Sequence, residues 1–207
     1  LVGDDELKAM HNFVTQQDGV LVVDEIYHGL VYGQQAKTAL AISDDVFVIN
    51  SFSKYFGMTG WRLGLLVVPE EYVDAVDRLA QNIFLAAPTL AQHAALAAFK
   101  PETIAIFDQR RDEFAERRDY LLPALREIGF EIPVNPEGAF YLYANCEKFS
   151  SSSYEFVHDL LEKAGVAITP GIDFGDNAAD KHVRFAYTTS LENLKEGVAR
   201  IKKYLAD

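Results

Sequence analysis

The chain has 207 residues, 49% of them apolar, which is enough to bury the core of one or two globular domains. Its net charge of −12, from 31 acidic and 19 basic residues without any Lys/Arg-rich run, argues against nucleic acid or an anionic membrane as a partner. The single cysteine, Cys146, has no partner for an intrachain disulfide, and this fits a reducing cytoplasm.

Targeting and membrane-anchoring segments have recognisable patterns, and a stretch upstream of this chain could still carry a targeting segment. No apolar run reaches membrane-spanning length, and the first residues lack the basic-then-apolar layout of a signal peptide. The five histidines show no metal-ligand spacing, so we expect no metal site. We therefore expect a globular cytoplasmic protein.

The first hundred residues alternate between predicted helices and predicted strands. Apolar residues at helical spacing, from Leu7 to Val14, predict a first helix, and apolar runs predict buried strands. Asp24 and residues 51–54 come directly after two of these strands, where α/β sheets place their ligands. The predicted helices span residues 5–17, 70–84 and 90–99, with Pro88 before the last, and the predicted strands span residues 20–23, 46–50 and 63–68.

A long charged helix is predicted over residues 101–128, and Pro123 is expected to bend or end it. After Gly129 the pattern changes to short strands over residues 130–134, 139–144, 166–169 and 183–187, with helices over residues 153–164 and 191–205. The sequence thus predicts an α/β fold, with a mostly parallel sheet and flanking helices, followed by a smaller α+β unit. We place the domains at residues 1–105 and 106–207, with the long helix in the second.

The chemistry of the chain concentrates around Lys54. A lysine that follows an apolar strand, among small hydroxyls and near an arginine, is typical of an imine-forming amine beside a phosphate site. Ser51, Ser53 and Arg62 supply hydroxyls and a two-pronged cation for a phosphate dianion. Asp24 is the candidate carboxylate, expected to be buried, that keeps a pyridine nitrogen protonated. Together these residues predict pyridoxal 5′-phosphate as the cofactor.

Glycines punctuate the same stretch. Gly57, Gly60 and Gly64 are expected to allow close backbone approach and unusual dihedral angles around the predicted cofactor site. Glu25, next to Asp24, is expected to be structural.

Four ordered motifs resemble those of the class I and II aminotransferases, which are fold-type I pyridoxal-phosphate enzymes. The resemblance covers essentially the whole chain, and four motifs in the correct order make chance similarity a poor explanation. The motifs are Val22-Val23-Asp24-Glu25-Ile26-Tyr27, the run from Ser51 to Gly64, Glu137-Gly138-Ala139-Phe140-Tyr141 and Val183-Arg184-Phe185-Ala186-Tyr187.

This resemblance implies roles for individual residues. Lys54 is implied to bind the cofactor covalently and to move a proton between substrate and cofactor. Asp24 is implied to pair with the ring nitrogen, Tyr27 to donate to the phenolic oxygen, and Arg184 to grip the α-carboxylate of the substrate through its planar fork. The phosphate contacts are implied to be Ser51, Ser53 and Arg62. The implied reaction transfers an amino group from an amino acid to a 2-oxo acid.

The resemblance also implies that part of the family's length is absent. A complete family member carries a long stretch upstream, with a phosphate loop, an aromatic ring stack and much of the dimer surface. We therefore expect the chain to be a fragment that catalyses poorly alone, and the full-length protein to be a homodimer.

Other interpretations remain open from the residues alone. Asp24 after a strand could cap a helix or bind a metal, and Arg184 could form a structural salt bridge. The same site residues serve β-elimination and decarboxylation in this family. A non-catalytic cofactor-binding module, as in transcription regulators with an aminotransferase-like domain, and an inert fragment are further hypotheses.

Overall fold

The computed structural model describes residues 1–206, which divide into two compact units, Leu1–Arg111 and Asp112–Asp207. The division falls inside one helix, a few residues after the predicted boundary between residues 105 and 106. The assignment of the two halves as a large and a small domain stays a prediction.

The first unit contains a three-stranded sheet and the helices around it. Its strands are β1 (Leu21–Asp24), β2 (Val46–Ser51) and β3 (Gly64–Val67), and its helices are α1 (Asp4–Gln16), α2 (Val73–Ile83), α3 (Thr89–Ala98) and the start of α4 (Pro101–Ile128). β1 and β2 pair in parallel, with Asp24 opposite Ile49, and β3 pairs antiparallel with β2.

The third strand is more open than its sequence predicts. The apolar run that includes Leu65, Leu66 and Val67 predicts a buried strand, yet all four residues of β3 are exposed. β3 is an edge strand of a three-stranded sheet, and the described residues leave its side chains accessible. The prediction of burial was therefore wrong for the described chain, because burial depends on what packs against a strand and not on its composition alone.

The second unit is a three-stranded antiparallel sheet covered by helices. Its elements after α4 are β4 (Tyr141–Asn145), α5 (Ser153–Asp159) continued by a π-helical turn (Leu160–Ala164), β5 (Thr169–Pro170), β6 (His182–Ala186) and α6 (Leu191–Ala206). The strand order is β4-β6-β5, with β6 in the centre.

Pro123 does not end α4, which continues to Ile128. A proline inside a helix costs about 3 kcal/mol because it removes a backbone hydrogen bond and crowds the preceding turn. Leu121, Leu122 and Leu125 flank it and are buried in the core of the second unit. Burying a leucine side chain contributes about 1.5–3 kcal/mol, so three of them offset the proline.

Two predicted strands of the second unit are wrong or mostly wrong. Residues 130–134 show the expected alternation, with Phe130 and Ile132 buried, but only Glu131 forms a bridge, to Asn145. The guanidinium of Arg126 donates to the carbonyl of Ile132 at 2.5 and 3.0 Å, so that carbonyl is not available for a ladder. Residues 166–169 form a strand only from Thr169 onward.

Candidate functional site

Asp24 stands at the carboxyl end of β1, beside the end of β2. The backbone N–H of Glu25 donates to the carbonyl of Ile49 at 2.8 Å, which extends the parallel pairing by one residue. One carboxylate oxygen of Asp24 accepts the N–H of Ile26 at 3.0 Å, forming a local turn. Asp24 is exposed in the described chain, whereas the sequence predicted a buried carboxylate. The position at the strand ends agrees with the expectation, and the burial does not.

Glu25 anchors the turn that follows β1. It is only 4% exposed, and its Oε1 accepts hydrogen bonds from the N–H of Ala39 at 2.7 Å and the hydroxyl of Thr38 at 3.0 Å. Its Oε2 lies 3.4 Å from Nδ1 of His28. A buried carboxylate needs such donors, because leaving it unpaired costs several kcal/mol. The turn that carries Tyr27 is therefore tied to the segment at Thr38.

Lys54 and Tyr27 are brought together although 26 residues separate them in the sequence. The Nζ atom of Lys54 lies 5.6 Å from the centre of the Tyr27 ring, and both residues are partly buried. An ammonium at this distance from an aromatic face is attracted by the ring quadrupole. The structure thus places a lysine amine and a phenol, two of the predicted site residues, at one place in the first unit.

The two predicted serines also lie together, at the end of β2. Their hydroxyl oxygens are 3.0 Å apart, and the N–H of Ser53 donates to Oγ of Ser51 at 3.1 Å. The Ser51 hydroxyl also lies 3.3 Å from the carbonyl of Leu63. Two hydroxyls and a backbone N–H next to Lys54 form a donor set that suits an anion.

Arg62 belongs to the same loop, and its guanidinium is hydrogen-bonded to the loop backbone. Its Nη1 donates to the carbonyl of Thr59 at 2.9 Å, and the hydroxyl of Thr59 donates to the carbonyl of Ser53 at 2.5 Å. Among residues 1–206, no direct hydrogen bond joins Arg62 to Ser51 or Ser53. Arg62 is exposed and has a φ of 54°, a left-handed conformation that costs about 1–3 kcal/mol for a residue with a side chain. Such strain is concentrated at ligand sites.

Two of the three glycines in this stretch show the expected unusual dihedral angle or close backbone approach. Gly57 has a φ of 64°, and a Cβ atom on Gly64 would lie 3.0 Å from the carbonyl oxygen of Asn50. Gly60 has open space around it and an ordinary φ, so the expectation fails for that residue.

Arg184 lies in the second unit, in the middle of β6. It is opposite Tyr143 on β4 and Thr169 on β5, and its Nη2 donates to the hydroxyl of Thr169 at 3.4 Å. The guanidinium carbon is 4.6 Å from the centre of the Phe174 ring and 5.7 Å from that of Tyr141. The Nε atom is buried and has no hydrogen-bond partner among the described residues. Among the described residues, no carboxylate therefore accepts a hydrogen bond from Nε, as one could in a structural salt bridge.

Sequence reasoning assigned no role to Thr169 or Phe174, which both contact Arg184. Phe174 ends a 3₁₀ turn, Gly171–Phe174, which has no periodic signal. Thr169 reaches Arg184 only through strand pairing. The described residues show no group of three or more histidine, cysteine or acidic side chains that could hold a metal, and no helix among them is long and apolar enough to cross a membrane.

Comparison with known proteins gives a consistent pattern. The family model described as aminotransferase class I and II matches residues 2–201. The valine–pyruvate aminotransferase of Mycobacterium tuberculosis is 41% identical over 207 residues, covering 99% of this chain and 53% of that protein. The (5-formylfuran-3-yl)methyl phosphate transaminase of Methanocaldococcus jannaschii is 37% identical, covering 96% of this chain and 53% of that protein.

A solved structure extends the likeness to the fold. The crystal structure of an aminotransferase from Mycobacterium tuberculosis superimposes with a TM-score of 0.95 at 41% identity, covering all of this chain and 54% of that one. The chain therefore spans about half the length of the proteins that it resembles.

Proposed function

Since the chain belongs to the class I and II aminotransferases, we propose that its protein transfers an amino group from an amino acid to a 2-oxo acid, with pyridoxal 5′-phosphate as cofactor. The observation that carries the proposal is the position of Lys54, 5.6 Å from the ring of Tyr27 and next to the paired hydroxyls of Ser51 and Ser53. This combination offers an amine for an aldehyde, a phenol and an anion site within one loop and one turn.

The donor set fits the cofactor in its chemistry. Ser51, Ser53 and Arg62 would hold the phosphate, since two hydroxyls, a backbone N–H and a guanidinium suit a dianion. Tyr27 would donate to the phenolic oxygen and Asp24 would pair with the ring nitrogen. When bound, the protonated ring withdraws the electron pair that is left on the substrate Cα after its proton is removed.

Lys54 has two proposed tasks. It would hold the cofactor through its Nζ atom, and the same Nζ would carry a proton to or from the substrate Cα. A single amine can do both because it remains in the site throughout. The nearby Tyr27 ring limits where Nζ can move.

Arg184 is proposed to bind the α-carboxylate that an amino acid and its 2-oxo acid share. Its buried Nε without a hydrogen-bond partner supports this proposal, because such a group requires an anion or another acceptor. A guanidinium can donate two parallel hydrogen bonds to a carboxylate, and Nε with one Nη is a common edge for that contact. Recognition of the shared carboxylate would serve both half-reactions.

The substrate side chain is not proposed. The relatives named above act on chemically different substrates by their names, a valine in one and a furan phosphate in the other, at similar identity to this chain. Similarity at this level therefore supports the reaction and the shared carboxylate only. We propose further that the full-length protein works as a homodimer in amino acid metabolism in the cytoplasm, in keeping with the apolar surface left open on the first unit.

Borohydride reduction tests the proposal directly. The full-length protein, loaded with pyridoxal phosphate and reduced, should yield a cofactor adduct on the peptide that contains Lys54. Lys54→Ala should remove the adduct, whereas Lys37→Arg should keep it, because Lys37 pairs with Asp4 outside the site. An adduct on a different lysine would contradict the assignment.

A further inference from the structure

Tyr55, the residue after Lys54, contacts three separate segments of the first unit. Its ring lies against the backbone of Gly29, in the turn after β1. Its ring centre is 5.1 Å from that of Phe56 and 5.5 Å from that of Phe107, which is on α4. Its hydroxyl donates to Oδ1 of Asp108 at 2.8 Å. Tyr55 is therefore held at both ends, between a turn and a helix.

The contact with Gly29 leaves no room for a side chain. A Cβ atom built on Gly29 would lie 2.6 Å from Cβ and 2.8 Å from Cδ2 of Tyr55, and closer still to Cγ. Real Cβ contacts are essentially never shorter than 3.0 Å. The turn that carries Asp24 and Tyr27 is thus packed directly on the neighbour of Lys54, and Glu25 ties the same turn to Thr38 and Ala39.

The hydroxyl end of Tyr55 is fixed equally well. The Oδ1 atom that accepts its hydrogen bond also accepts one from Nη1 of Arg111 at 2.8 Å. Burial, with the charge of Asp108, raises the pKa of Tyr55 to about 12. The phenol therefore remains a neutral donor at physiological pH, and the hydrogen bond persists.

We propose that Tyr55 is a positioning residue, which holds Lys54 at its place beside the turn that carries Asp24 and Tyr27. The inference rests on the proposed function, since it concerns the lysine that attaches the cofactor. Displacing a reacting group by about 1 Å can cost a hundredfold in rate, so a packed neighbour that fixes the lysine has a large effect without contacting the substrate.

The test is made in the full-length protein with pyridoxal phosphate bound. Tyr55→Leu removes the ring and should weaken cofactor binding about tenfold and reduce its visible circular dichroism band by at least half, because that band reports how the cofactor is oriented. Tyr55→Phe keeps the ring against Gly29 and should lose only about threefold. Gly29→Ala attacks the same contact from the turn and should reproduce the effect of Tyr55→Leu.

A matched control separates positioning from general loosening. Phe99→Leu removes a ring that packs on Phe52 and Phe56 and makes no ring contact with Tyr55, so it should lower the unfolding temperature and leave the dichroism band and the cofactor affinity near wild type. The double variant Gly29→Ala with Tyr55→Leu should add little to either single change, since both break one contact.

The outcomes distinguish this inference from the proposed function. If reduction labels Lys54 but Tyr55→Leu keeps the band and the affinity, the positioning role is wrong and the function stands. The positioning role is also wrong if Phe99→Leu, at a similar unfolding temperature, reduces the band and the affinity as much as Tyr55→Leu does. If reduction does not label Lys54 in the unaltered protein, the proposed function itself fails.

Discussion

The two units of the chain differ in how completely they bury their own apolar residues. In the second unit, sixteen buried residues from α4, β4, α5 with its π-helical turn, β6, α6 and the loops beside them form one core, and Leu125, Leu142, Leu160 and Val183 have no exposed surface at all. The first unit has two small clusters instead, one around Phe52 and one around Val46. Of the 27 large apolar residues that are exposed in the described chain, 21 lie in the first unit. The second unit is thus packed by its own sequence, and the first is not.

The open surface of the first unit is organised, not random. Leu79 and Ile83 are four residues apart on α2 and therefore lie on the same helix face, and they are 60% and 74% exposed. Phe84 and Leu85 continue the exposed run after the helix. A helix face of this kind in a globular protein normally packs against something. The first unit, which carries the residues proposed to bind the cofactor, therefore leaves more apolar surface open than the second unit, which carries Arg184.

The largest expected effect is on stability. Leu142→Ala should lower the free energy of unfolding of the 207-residue chain by about 2–5 kcal/mol, because it opens a cavity in a fully buried site. Leu79→Ala should change it by less than about 0.5 kcal/mol, since its side chain is already exposed. Urea denaturation followed by circular dichroism measures both.

Equal losses in the two variants would break the comparison between the units. A cost for Leu79→Ala that is small in this chain and several-fold larger in the full-length protein would sharpen it, because it would locate the contact that covers α2.

The motifs predicted more of this molecule than the periodicities did. The family and the fold class, read from four ordered motifs, are confirmed by the family match and the solved structure. Asp24 and Ser51 are the last residues of strands that pair in parallel, which places them at one edge of the sheet, as the strand pattern implied. Local sequence patterns were therefore enough to predict the position of a residue that is fixed by its own strand or loop.

The remaining features depend on contacts between distant residues. The strand predicted at residues 130–134 fails because Arg126 takes the carbonyl of Ile132, an interaction that alternation cannot reveal. The Phe174 ring beside Arg184 depends on a 3₁₀ turn and on strand pairing. The exposure of Asp24 and of β3 depends on what packs over them.

A second pair of variants tests whether the first unit retains the cofactor and the second unit binds the substrate carboxylate. Arg62→Lys should weaken retention of pyridoxal phosphate about tenfold, because a point charge replaces a two-pronged donor. Arg184→Lys should instead raise the amino acid concentration needed for half-maximal rate by a similar factor, about 1.4 kcal/mol, and leave cofactor retention unchanged. Equilibrium dialysis and steady-state kinetics on the full-length protein separate the two effects. If Arg62→Lys instead affected the amino acid concentration and Arg184→Lys the cofactor retention, the proposed assignment of phosphate to Arg62 and carboxylate to Arg184 would be wrong.

The last expected effect is on how the free energy of unfolding depends on pH, through Cys146 in the core of the second unit. Burial raises the pKa of the Cys146 thiol to about 11, from an ordinary value of 9.0. Well below pH 9 the thiol is protonated in both the folded and the unfolded chain, so it gives no pH dependence there. As the pH rises from about 9 to about 11, the unfolded chain loses this proton first and the free energy of unfolding falls. Other groups titrate in the same range, so the informative quantity is the difference between the wild type and Cys146→Ala, measured by urea denaturation at each pH. Cys146→Ala should lower stability by a constant amount well below pH 9, and the gap should narrow at higher pH. Parallel profiles, or rapid alkylation of Cys146 in the native chain, would show that the second unit is more open than its packing indicates.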